Sequence, residues 1–368
     1  MMKIMQVVPS DTKNDLLIDL LETNIMRQVE NSILMLAPGT GELSQYCKSR
    51  SISFEVVKKN RTIFRQIIAT YRFVRKIKPD RIFFQSFFPS FIGSVLTLIP
   101  SMNRTRVIAV RHHNRNHHLL RNRKAALVDK FISKRVEYVF AVSNTVKKTL
   151  QSEGCDPTKI IVVENGLNFS RYGFIYPTSR NYDGVSTLNL LAVGRLDWQK
   201  NYDLMFEVIS QLRLRGVDVT LTIYGAGADA ERTRLNKLGE RLGIESSILW
   251  RGWIPNIEYA YDNSHIFIHT AADEACPLVL IEAQLSGIPL VSTSNGGSVD
   301  VLGEHYGLVK TNIANDLCLR ILKIASSYQS YLTTSNLGIR AAQERFNPEK
   351  MASHYTNLSV ENRCTNPN

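Results

Sequence analysis

Short runs of β-branched and aliphatic residues alternate with segments of helical period along the whole chain, and no other feature limits the fold so tightly. In the N-terminal half, strand-like runs are predicted at 3–8, 33–37, 53–57, 81–85, 106–110, 138–142 and 160–163, with helices such as 64–77 and 125–136 between them. A second series follows at 188–193, 219–224, 248–251, 266–270, 289–292 and 307–309. Strands that are apolar throughout belong to parallel sheets covered on both faces. Their alternation with helices predicts an α/β protein built from doubly wound, Rossmann-like sheets. The stretch 168–186 contains Gly173, Pro177 and Gly184 and holds no period, so it separates two domains. The expected division is a domain at 1–170, a linker at 171–187, a second domain at 188–345, and a C-terminal helix and tail at 346–368 that could pack back on the first domain. Ligands of such sheets gather beyond the carboxyl ends of the strands. Two sheets whose strand ends face one interdomain cleft are therefore expected to share a site there.

The 368 residues are 44% hydrophobic and 21% charged, ordinary for a globular chain, which sets aside disordered and fibrous readings. Five scattered cysteines without a CxxC pair point away from a disulfide framework or zinc site and toward a cytoplasmic compartment. The N-terminus turns polar too soon for a signal peptide. The greasiest stretch, 82–99, is interrupted by Gln85, Pro89 and Gly93 and reads as a strand, a turn at Pro89 and a helix rather than a membrane span.

Charge is unevenly placed. The net +12 arises within residues 61–150, which hold 19 Lys and Arg against 3 Asp and Glu. On the helix expected at 64–78, Arg65, Arg72, Arg75, Lys76 and Lys78 accompany Ile67, Ile68, Phe73 and Val74. That composition suits peripheral docking on an anionic membrane surface, on the inner face of the plasma membrane, as well as a simple solvated face. The interleaved aromatics of a single-strand platform are missing, so no nucleic acid is expected as a partner.

Four strand-end loops of the second half could carry chemistry. Arg195 and Lys200 follow the strand at 188–193, where a guanidinium fork and an ammonium suit a diphosphate. Gly225 and Gly227 open the next helix in a dinucleotide-type spacing, with Glu245 about where a ribose-binding acid is sought. The loop after 266–270 carries Glu274, then Cys276 as N-cap and Pro277 as first helical residue, with Glu282 further along the helix. A helix that starts without a capping side chain leaves N–H groups ready for phosphate. Glu282 is costly to bury unless hydroxyl donors reach it. Asn295, Gly296 and Gly297 form the fourth loop. In the first half, His112 and His113 end a strand and His117 and His118 follow. Adjacent pairs without an acidic partner do not suit a metal, and a hydrogen-bonding or proton-handling histidine is the better reading.

These residues are recognisable together. The segments VGRLDWQKN, YGAG, EACPLVLIEA and GIPLVSTSNGG resemble the retaining family 4 glycosyltransferases (glycosyl transferases group 1), which have the GT-B fold; KPDRIFFQS, RHHN, YVFAVS and IIVVENGLN resemble their N-terminal halves more loosely. The resemblance implies a metal-independent, configuration-retaining transfer from a nucleotide-diphosphate sugar, a UDP- or GDP-sugar, to a lipid-linked or polysaccharide acceptor in surface-glycan synthesis, with no other cofactor. It implies that Arg195 and Lys200 neutralise the leaving diphosphate, that Glu274 holds the transferred sugar's hydroxyls and Glu282 the ribose. It further implies that backbone at Gly225, Gly227, Cys276, Pro277 and Leu278 lines the donor, and that His113, or its neighbour His112, lies near the reacting centre. Two departures stand out: VVPSDTKND where a Gly-Gly loop is usual after the first strand, and Ala275-Cys276 where Gly and an aromatic are usual. The alternatives are a nucleotide-sugar epimerase or NAD-dependent enzyme on a similar double fold, and a non-catalytic polyanion-binding protein.

Overall fold

The computed structural model describes residues 1–358 apart from 13, 59–61, 103, 115–123, 173–179 and 255–256. His117, His118, Gly173, Pro177 and Cys364 lie outside the described residues. The chain forms two compact units, one of Met1–Leu167 with Asn347–Asn368, the other of Asn168–Phe346.

The first unit holds strands β1 (Lys3–Val8), β2 (Glu30–Met35), β3 (Ser53–Val56), β4 (Arg81–Gln85), β5 (Arg106–Arg111), β6 (Tyr138–Ala141) and β7 (Ile160–Val162). They pair in parallel in the order β3-β2-β1-β4-β5-β6-β7. Most of their side chains are buried, because helices cover a parallel sheet on both faces. β2 starts three residues before the run expected at 33–37. Its first residues are polar, yet Ser32 donates to the Ile4 carbonyl and Asn31 accepts from Asn24, so both buried side chains have partners. Leu36 N–H instead donates to the carbonyl of Val8 at the end of β1, and the Ala37 carbonyl accepts from Asp11 N–H in the loop after it.

Pro89 does not form a turn. It sits in the first turn of helix Phe87–Leu96, where a missing N–H removes no helical hydrogen bond. Among the described residues no helix is long and apolar enough to cross a membrane. On helix Ile63–Ile77, Phe73 and Val74 are only 1% and 4% exposed and face the unit's own core, so these two residues are not available to a membrane surface. Its exposed apolar residues are Ile63 and Phe64, at the N-terminal end. Helix Pro348–Thr356, capped by Asn347, returns to this unit and inserts Tyr355 between Phe83 and Phe140, with ring centroids 4.4 and 5.2 Å away.

The second unit holds β8 (Leu188–Val193), β9 (Val219–Tyr224), β10 (Ile248–Gly252), β11 (Ile266–His269), β12 (Leu290–Thr293) and β13 (Leu308–Val309), all parallel, in the order β10-β9-β8-β11-β12-β13. One apolar core joins β8 and β9 to helices Tyr202–Leu214 and Ala314–Ser326 through Phe206, Ile209, Leu221 and Ile321.

Candidate active site

In the second unit β8 and β11 are neighbours, with β9 and β10 beyond one and β12 and β13 beyond the other. The winding reverses between them, and crevices at such reversals are where parallel α/β sheets bind ligands. The loops leaving these two strands carry Arg195, Lys200 and Glu274.

Backbone contacts tie the two loops together. Asp197 caps the short turn Trp198–Lys200 by accepting from the Gln199 N–H at 3.1 Å. The hydroxyl of Thr270, just past β11, lies 3.0 and 3.1 Å from the carbonyls of Lys200 and Asn201. Ala272 N–H donates to the Gln199 carbonyl at 2.8 Å. This stitching brings Lys200 Nζ to donate to Glu274 Oε1, with both side chains 15% exposed. Arg195 is mostly solvent-exposed, pairing with Asp197 at 3.2 Å and donating to Gln199 Oε1 at 3.2 Å.

His269, the last residue of β11, is buried, and its Nε2 lies 3.3 Å from the same Glu274 oxygen. Burial alone raises the Glu274 pKa, but the His269 hydrogen bond and the Lys200 charge outweigh it and hold the carboxyl at about 2. Burial likewise keeps the His269 pKa below the usual histidine range. A neutral imidazole facing a carboxylate carries its proton on Nε2, which leaves Nδ1 as an acceptor 3.2 Å from Ser292 Oγ, whose one hydroxyl proton also faces the Thr293 carbonyl at 3.1 Å.

The helix after Glu274 runs Leu278–Ser286, one residue later than expected, and its N-cap is Pro277 rather than Cys276. Pro277 has an extended ψ of 105° and so stays outside the helix, and its own side chain makes no capping hydrogen bond to the first turn. Glu282 is buried on this helix and accepts from the Tyr261 hydroxyl at 3.0 Å. Sequence reasoning sought that donor only in a ligand; Tyr261 supplies one from the protein.

Glycines let the loops close on one another. A Cβ at Gly225 would lie 1.8 Å from the Gly194 carbonyl, and Gly225 adopts a φ of 152°. A Cβ at Gly297 would lie 2.3 Å from the Glu274 carbonyl. Gly227 bridges to Leu196 beside β8. Glu245 lies before β10, at the amino edge of the sheet, away from the turn that a dinucleotide reading pairs it with.

In the first unit the His112 and His113 loop leaves β5. Gln85 Nε2 donates to Gln6 Oε1 at 2.8 Å, so Gln85 Oε1 accepts from His112 Nε2 at 2.7 Å. Burial lowers the His112 pKa to about 4. Arg111 pins the loop from below, donating to the carbonyls of His113 at 2.8 Å and Asn114 at 2.9 Å while pairing with Asp129 at 2.8 Å and Glu153 at 3.2 Å. Sequence reasoning missed His269, Tyr261 and this Arg111 network. A histidine closing an otherwise apolar strand was the visible signal for His269; the partners of Arg111 come from helix Lys124–Arg135 and from Glu153, just past helix Asn144–Ser152, and leave none.

Two family models match this chain: "Glycosyl transferases group 1" over residues 186–339 and "Glycosyltransferase Family 4" over residues 24–171. The putative colanic acid biosynthesis glycosyltransferase WcaL of Salmonella typhimurium is 30% identical over 203 residues, 52% of this chain and 48% of the relative. The Escherichia coli O-antigen biosynthesis glycosyltransferase WbnH is 27% identical over 233 residues, 63% of this chain and 62% of the relative. The chain thus spans about half to three fifths of the length of these curated relatives. Anabaena Alr3699/HepE, solved with UDP and glucose, superposes with a TM-score of 0.81 at 17% identity, over 97% of this chain and 98% of that one. The chain belongs to the group 1, family 4 glycosyltransferases and has their GT-B fold.

Proposed function

We propose that this chain transfers a sugar from a nucleotide-diphosphate donor to a surface-glycan acceptor, with retention of configuration. The observation that carries the reading is the convergence of Lys200 and Glu274 at the reversal between β8 and β11. A departing diphosphate accumulates negative charge, and preorganised cations and N–H groups stabilise it best. Lys200 and Arg195 supply two cations, and the uncapped start of helix Leu278–Ser286 adds partial positive charge beside Cys276, Pro277 and Leu278. Glu274, ionised at any physiological pH, accepts from the hydroxyls of the transferred sugar. Glu282 keeps acceptor capacity for a ribose while Tyr261 holds it in place. The Gly225 and Gly227 turn shapes the wall beside Arg195.

The names of the relatives support a glycan acceptor, and the neighbour solved with UDP supports a uridine donor. His112 or His113 serves the acceptor side, with His112 neutral and oriented by Gln85. Docking to an anionic membrane, if it brings a lipid-linked acceptor, involves the end of helix Ile63–Ile77 where Ile63 and Phe64 are exposed beside Arg65. The testing experiment measures release of UDP and GDP from a panel of sugar donors with lipid-linked acceptors present. Acceptor-dependent release by the wild type, lost in Glu274→Ala and Lys200→Ala, is the expected outcome; near-normal turnover in both variants would contradict the assignment.

A further inference from the structure

We infer that His269 is a positioning residue for Glu274: its Nε2–H fixes the carboxylate that receives the donor sugar and keeps it fixed when Lys200 turns to the diphosphate. This inference rests on the donor reading of Glu274 and Lys200.

Two donors meet at one oxygen, Glu274 Oε1: the Lys200 ammonium and His269 Nε2 at 3.3 Å. They differ in what they can do. Lys200 stands on the loop after β8, with a flexible four-carbon stem. A diphosphate competes for its charge, and an ammonium that moves toward the phosphates loosens its hold on Glu274. His269 cannot follow. It belongs to β11, is only 3% exposed, and has its far nitrogen engaged by Ser292 on the neighbouring strand β12 at 3.2 Å. The ring is therefore held by burial in the sheet, with a neighbour within 3.3 Å of each nitrogen. Ser292 is itself wholly buried and lies 3.1 Å from the Thr293 carbonyl. A carboxylate that must meet sugar hydroxyls in one orientation gains from a partner that does not exchange, since misplacement of a group by about 1 Å costs on the order of 100-fold in rate.

The donor atom matters here, because Gln can reproduce Nε2–H while Leu fills the space without it. The experiment measures turnover and donor KM of His269→Gln and His269→Leu, with UDP affinity by calorimetry and thermal unfolding alongside. His269→Leu is expected to lose about 10- to 100-fold in kcat with UDP affinity within about twofold of wild type. His269→Gln is expected to recover most of that loss. Equal kcat in wild type and His269→Leu overturns the inference, and so does an equal loss in Leu and Gln variants that melt like the wild type. If the Leu variant does not fold, full activity in His269→Gln with inactivity in His269→Asn, which places its amide at the Nδ1 end, supports the inference; equal activity in both overturns it. Glu274→Gln separates this from the parent reading: undiminished turnover there removes the role of Glu274 itself, whatever His269 does.

Discussion

Lys200 donates to the carboxylate of Glu274 across 74 residues of sequence, joining the loop after β8 to the loop after β11. The contact is made possible by the strand order, which sets those two strands side by side. On the proposed donor reading, a diphosphate would have to recruit the ammonium away from a partner it already has.

That competition gives a binding prediction. If Lys200 meets the diphosphate as proposed, Lys200→Met removes one charge-assisted contact, each such bond contributing about 1.5–3 kcal/mol. UDP affinity measured by calorimetry is expected to fall roughly 10- to 100-fold. An unchanged affinity places the diphosphate elsewhere.

The ionised state of Glu274 gives a pH prediction. Its carboxyl is held at about 2, below the ordinary 4.5, so the native state binds its proton less readily than the unfolded chain. Its contribution to stability is complete above about pH 4.5 and is lost as pH falls toward 2. Thermal melts of wild type and Glu274→Gln are expected to differ most at neutral pH and to converge across that acid window. A gap that widens on acidification reverses the sign and refutes the assignment.

Gly297 tests the close packing of the site loops. Any side chain there pushes into the Glu274 carbonyl, which is backbone and cannot swing aside. Gly297→Ala is expected to cost about 1–3 kcal/mol and lower the melting temperature by several degrees, with a loss of turnover larger than the loss of folded protein. A melt like that of wild type means the loop moves freely.

How much of this was visible beforehand differs between strands and loops. Apolar runs locate each described strand because a strand covered on both faces has no polar alternative; β2 begins earlier than its apolar run, where Asn31 and Ser32 find buried partners, and ends at Met35. Arg195, Lys200, Glu274 and Glu282 were legible as charges at strand ends and a helix start. What joins them was not. The Glu274–His269–Ser292 line crosses two strands and a loop, and no local spacing encodes it. The burial of Phe73 and Val74 was not legible in helix 64–78, because amphipathic period marks an apolar face without saying whether core or lipid covers it.

The Arg111 network carries a stability prediction in the first unit. Arg111 and Asp129 are about 6% and 5% exposed, so removing the cation strands buried carboxylates. Arg111→Met is expected to destabilise this unit by about 3–5 kcal/mol. Denaturant unfolding checks it, and a shift below 1 kcal/mol is inconsistent with a buried pair.

Charge reversal at Arg65 and Arg72, both exposed on helix Ile63–Ile77, is expected to weaken sedimentation with anionic vesicles at least about tenfold, at roughly 1 kcal/mol per charge. Binding that is unaltered removes the membrane role of this helix.

The most direct test is donor turnover itself. Wild type, Glu274→Gln and Lys200→Met are compared for nucleoside diphosphate released from UDP- and GDP-sugars with a lipid-linked acceptor present, after circular dichroism shows equal folding. Release by the wild type that falls at least about 100-fold in both variants is the expected result. Turnover close to wild type in both would contradict a donor site built on Lys200 and Glu274.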